Sequence, residues 1–215
     1  MSGQQRGKLP ERKPRRTRTA TRRVLRGLLL LGSGRAEGFS FFDGGRDAFL
    51  ASLSPPIAFL LVLSALLLSQ RPTLPALCLV LLMLCAVLLP PVLSHFMARL
   101  WRRGDHWQRY ATASAWSVWL ILPAYLPAML VASILPQLGV GHEAAGRVAM
   151  LLLGAYFLWL QWFMAWKGLA IGRFKAALTV VVLTAGSSLL ATALQPLLTE
   201  VMLAPDPAPA TPAAP

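Results

Sequence analysis

Five stretches of this chain, Phe49–Ser69, Leu74–Met97, Ser114–Leu138, Ala144–Trp166 and Ala176–Thr199, are almost wholly apolar. Each is long enough to cross a bilayer core of about 30 Å, which takes roughly 20 residues of helix. None carries a charged residue in its central portion; Arg147 sits near one end of its segment. A surface helix of a soluble protein would show a polar face, and these segments have none. In hydrocarbon a helix satisfies its own backbone, whereas an open strand does not. The expected fold is therefore all-α, a polytopic transmembrane helical bundle of about five spans over residues 48–200. Only 13% of the residues are charged, against about a quarter in soluble domains.

The charge that exists is unevenly placed. Net charge is +13, and of 21 Lys and Arg, 12 precede Ala48. Arg99, Arg102, Arg103 and Arg109 lie between the second and third segments, and Lys167, Arg173 and Lys175 between the fourth and fifth. With the N-terminus inside, only Arg71 and Arg147 fall outside. The positive-inside rule then places the N-terminus in the cytoplasm and the C-terminus on the far side, as an odd number of spans requires. The tryptophans at 101, 107, 116, 119, 159, 162 and 166 all fall toward the same inner side, where indole suits the headgroup layer. They read as anchors or as part of a Trp/Arg docking surface.

The segment "TATRRVLRGLLLLGSGRAEGF" imitates an export signal. A cleavable signal needs an apolar run of about 7–15 residues and a small-x-small cleavage site. Here Arg26 breaks the run and "RAEGFS" offers no such site. At 100° per residue Arg22, Arg23 and Arg26 share one side, and Val24, Leu25, Leu28, Leu29 and Leu31 cover the other. That is the pattern of a retained interfacial helix lying flat. It divides the chain into a disordered basic arm (1–21), an interfacial amphipathic helix with a re-entry loop (22–47), the bundle, and a disordered Pro/Ala-rich tail (201–215). Arg15, Arg16, Arg18, Arg22, Arg23 and Arg26 are the expected contacts to anionic lipid headgroups.

Little else in the sequence carries chemistry. Cys78 and Cys85 are seven residues apart on one helix, about 10 Å along its axis, too far to bridge; they read as apolar packing. His95, Asp105 and His106 lie near one another in sequence, but without the ligand number and spacing of a zinc site, and "RGDHWQRY" reads as a solvated loop. No cofactor or metal is expected. The absence of charged residues at span centres argues against ion-coupled pumping or intramembrane hydrolysis, and no enzymatic activity is expected. Thr184, Ser188 and Thr192 at i, i+4, i+8 suit close helix packing. Pro55-Pro56, Pro90-Pro91, Pro123 and Pro127 bend spans and either shape the bundle or open a cavity. Tyr125, Tyr156 and Gln161 are the candidates to line a polar one.

The segment "YFLWLQWFMAWKGLAIGRFKAALTVVVL" resembles the junction of the last two spans in Yip-family (Ypt-interacting-protein-like) membrane proteins, with its short basic loop and Gly-containing turn. "GFSFFDGGRDAFLASLSPPIAFLL" is similar to alphaproteobacterial inner-membrane proteins of that kind. The resemblance covers roughly residues 38–195 and implies a membrane-organising or adaptor protein without a cofactor. It supplies no catalytic residues. Expected partners are anionic membrane lipids, with a membrane-protein partner or a second copy of the chain; nucleic acid is not expected, because the arm lacks interleaved aromatics. The alternative reading is a small-molecule transporter or transporter subunit.

Overall fold

The computed structural model describes residues 16–70 and 72–203. All regular structure among them is helical: α1 (Arg16–Gly32), a 3-10 turn (Ala36–Phe41), α2 (Arg46–Gln70), α3 (Leu74–Leu100), α4 (Gly104–Ser117), α5 (Ile121–Ile134), α6 (His142–Gly168) and α7 (Arg173–Leu203). α4 and α5 form one rod from Gly104 to Leu138, so five helices are long and apolar enough to cross a membrane. The chain is a multi-pass membrane protein with the expected all-α fold. Its lipid-facing character shows in α2, where Phe59, Leu61 and Val62 are exposed.

Each boundary has a local cause. Thr73 caps α3, its hydroxyl accepting from the Ala76 N–H at 3.4 Å, with Pro75 in the first turn where no donor is needed. The rod tightens to a 3-10 stretch at Val118–Leu120, just before Pro123, which has no N–H to offer the carbonyl four residues earlier. Beyond α5 a second 3-10 stretch, Leu135–Leu138, ends at Gly139 with φ +86°. α3 closes with Arg102 in the left-handed region (φ 54°), where the Arg102 and Arg103 N–H groups return to Arg99 and Ala98 carbonyls at 3.0 and 2.8 Å.

Several helices begin earlier than the sequence suggests. α1 starts at Arg16, so the last residues of the expected arm are helical. "RGDHWQRY" is not a solvated loop: it opens α4, whose Tyr110, Ala111, Thr112 and Ala113 are buried. The polar residues there misled because their apolar neighbours pack on protein rather than lipid. α7 continues to Leu203, beyond the expected tail boundary.

α3 packs along α7, α6 lies between α5 and α7, and α2 closes on α3 and α4. The buried side chains form two clusters. One gathers Leu31, Phe39, Tyr110, Leu160, Met164 and Leu169 with their neighbours, at the end where α1, the 36–41 turn and the α6–α7 connection meet. The other joins Ala76, Leu79 and Val201, where the ends of α2, α3 and α7 converge. The first is the basic end of the bundle.

Candidate functional site

At the basic end, α1 is docked onto the bundle. Gly27, Leu28 and Leu31 are buried and Val24 half-buried, a stripe at i, i+3, i+4 and i+7. The turn at 36–41 folds back onto it: a Cβ on Gly38 would lie 2.7 Å from both the Gly27 carbonyl oxygen and Leu31 Cγ. The reversal is closed by Gly34 at φ +79°, with the Gly34 N–H donating to Leu31 O at 2.9 Å and the Arg35 N–H to Leu30 O at 2.8 Å. Tyr156 of α6 then donates its hydroxyl to the Gly32 carbonyl at 3.0 Å, pinning the end of α1 to a span. Docking consumes only part of the apolar face. Leu25 and Leu29 stay 54% and 63% exposed, beside the exposed Arg22 and Arg26, and the Arg26 guanidinium sits 5.7 Å from the Phe41 ring centroid. α1 thus has three faces: one on protein, one apolar and outward, one basic.

The α6–α7 connection adds a second group of cations. Lys167 Nζ lies 3.9 Å and Arg173 Cζ 4.7 Å from the Trp166 ring centroid, while Lys175 Nζ lies 4.9 Å from that of Trp101. Trp162 stacks on Trp166 at 5.4 Å and donates its indole N–H to the Arg173 carbonyl at 3.1 Å, holding the turn. Each contact attracts a cation to a ring face. Among the described residues the only ion pair is Glu143–Arg147, on successive turns of α6 far from this end, and no carboxylate among them pairs with Lys167, Arg173 or Lys175. The Trp101 indole N–H is also buried without a hydrogen-bond acceptor among them.

The larger of two cavities, about 670 Å³ and partly open, lies among α2, α3, α4, α6 and α7. Its wall is mainly apolar, with polar side chains at Ser94, Tyr110, Ser114, Gln161, Thr184, Ser187 and Ser188. No Asp, Glu, Lys, Arg or His lines it. Pro56, Pro90 and Pro91 remove backbone donors from two of its walls. Toward one side, the Trp107 ring stands 5.1 Å from Phe49 and 4.5 Å from His95, and its N–H donates to Ser94 Oγ at 3.1 Å. A second cavity, about 460 Å³ and nearly all apolar, opens between α1, α5 and α6 beside Leu29, Pro123, Pro127 and Tyr156.

The structure separates the residues the sequence nominated together. Gln161 lines the larger cavity, Tyr156 the smaller one, and Tyr125, 43% exposed, neither. Thr184 and Ser188 line the larger cavity, whereas Thr192 does not and bonds back to the Ser188 carbonyl. Of the nominated arginines, Arg22, Arg23 and Arg26 are exposed on α1; Arg16 and Arg18 are in its first turns, and Arg15 is outside the described residues. Cys78 and Cys85 are both free thiols, and no group of three or more potential metal ligands occurs among the described residues. Sequence reasoning noted Lys167, Arg173 and Lys175 only as loop charge. The i, i+4 pair Trp162 and Trp166 beside them was the available signal. No family model, curated protein or solved structure matches the chain, so its site is read from its own geometry.

Proposed function

We propose that this chain is a non-enzymatic membrane adaptor or organiser of Yip-like design that holds anionic lipid headgroups at its basic end. In this reading it sits in the bacterial inner membrane, with that end and the N-terminus in the cytoplasm and the C-terminus outside. The observation that carries it is the leftover face of α1. Leu25 and Leu29 remain more than half exposed and adjoin Arg22 and Arg26, the arrangement that places apolar side chains at the acyl boundary and guanidinium groups among phosphates. Lys167, Arg173 and Lys175 supply further positive charge, and the "WKGLAIGRFK" turn that carries them lies in the segment resembling Yip-family proteins.

The test is lipid selectivity of the full chain in nanodiscs of mixed phosphatidylcholine and phosphatidylglycerol. Retained lipid is identified by native mass spectrometry. Near an anionic surface each Lys or Arg is worth about 1 kcal/mol. Replacing Arg22, Arg23 and Arg26 by Gln, or Lys167, Arg173 and Lys175 by Gln, is expected to reduce phosphatidylglycerol enrichment, and more so at low salt. Unchanged enrichment in both variants at low ionic strength refutes the reading.

A second reading, a small-molecule carrier or carrier subunit, is favoured by the 670 Å³ cavity between proline-containing helices. A chain with Cys78 and Cys85 replaced by Ala and a single cysteine at Ser187 should react with a water-soluble maleimide. Complete shielding of that position counts against a carrier.

A further inference from the structure

The larger cavity has a polarity that selects its contents. Its polar groups are neutral without exception, so an ionised ligand would be stripped of water and find no counter-charge, a steep cost inside a membrane protein. Some of its acceptors also lack a donor partner. Pro90 and Pro91 lack N–H groups, which leaves the carbonyls of Ala86 and Val87 without their helical partners, and both residues line the cavity. Gln161 Oε1 is buried with no hydrogen-bond partner among the described residues. A buried acceptor in that state costs free energy until a donor reaches it. Thr184, Ser187 and Ser188 line the same cavity from one face of α7, followed at i+7 by Ala191, which leaves room. The rest of the wall is apolar, and 670 Å³ lies in the usual range for sites that enclose a small ligand.

We infer that this cavity is a binding site for an uncharged, hydroxyl-bearing amphiphile: an alcohol head that donates toward Gln161 and the proline-freed carbonyls, and an aliphatic chain along the apolar wall. A hydroxyl suits the site in both roles, since it donates to the amide or carbonyl oxygens and accepts from the serine and threonine hydroxyls. The inference rests on the carrier reading only in sharing its cavity. The experiment reads occupancy rather than flux, so an occupied site without transport retires the carrier and leaves this site standing.

The probe is a diazirine-bearing analogue of 1-dodecanol, photolysed with the full chain in phosphatidylcholine nanodiscs and mapped by peptide mass spectrometry. Labelling is expected at α4 near Ser114 and at α7 between Thr184 and Ala191. Excess 1-dodecanol should displace it, whereas dodecane, which has no head, and dodecyl phosphate, which has an ionised one, should not. Gln161→Leu is expected to weaken the competition by dodecanol roughly tenfold, the worth of one net hydrogen bond. Ser187→Ala with Ser188→Ala, on another helix, should weaken it severalfold and keeps the test alive if the Gln161 variant does not fold. Label spread evenly over exposed positions such as Phe59 and Val62, or displacement by dodecane or dodecyl phosphate as effective as by dodecanol, overturns the assignment.

Discussion

Gly38→Ala tests the docking of α1 with one methyl group. Gly38 has no left-handed backbone requirement, so alanine meets no conformational penalty there; the cost is steric. The added Cβ would lie 2.7 Å from the Gly27 carbonyl oxygen, 2.7 Å from Leu31 Cγ and 3.0 Å from the Leu31 N–H nitrogen. Two of those atoms are backbone of α1 and cannot turn away as a side-chain tip could. The 36–41 turn and α1 must therefore separate, loosening Leu28, Leu31, Phe39 and Phe42, which are buried together. Overpacking of this kind costs about 1–3 kcal/mol, so the undocked population should rise roughly 5- to 150-fold. Hydrogen exchange of the peptide spanning residues 24–42, with the full chain in nanodiscs, reads that ratio directly, because local opening sets the exchange rate. Exchange in the α6–α7 turn, held by its own Trp162 hydrogen bond, should change far less. The control is Gly45→Ala, where nothing lies within 4 Å of the new Cβ. Exchange in Gly38→Ala equal to that of the control would mean that α1 does not rest on the 36–41 turn, and the three-faced description of α1 would fail with it.

Tyr156→Phe removes the hydroxyl that reaches Gly32 while keeping the ring; the loss of about 1 kcal/mol should appear as faster exchange near the end of α1, and an unchanged rate argues that water already serves that carbonyl. Ala170→Gly relieves a residue held at φ 51° in the α6–α7 connection. It is expected to stabilise by about 1 kcal/mol in a reversible unfolding assay in mixed micelles, and destabilisation would contradict the left-handed turn.

How much of this was legible in the sequence differs from element to element. The five spans were, because a bilayer imposes length and continuous apolarity locally on each segment, and Pro123 announced an interruption in the third. α4 was not. Arg103–Tyr110 looks solvated in isolation, and only α2, α3 and α6 around it explain why Tyr110 is buried. The candidate lipid contacts on α1 were legible as a charge face at helical spacing, but the Lys167–Trp166–Arg173 cluster was not, since ring contacts depend on how a turn folds. The nominated cavity residues fared unevenly for the same reason: Tyr125, Tyr156 and Gln161 were grouped by being polar among apolar neighbours, and polarity does not say which way a helix faces.

By itself, then, the sequence determined that this protein crosses a membrane, about where it does so, and that its positive charge collects at one end, since those properties follow from segment length and composition. Tertiary structure alone decided that α1 buries Leu28 and Leu31 against protein and leaves Leu25 and Leu29 largely exposed, and that Gln161 shares a cavity with Thr184, Ser187 and Ser188. Those outcomes depend on the rotation of each helix against its neighbours, and in spans that are apolar all round no sequence period records that rotation.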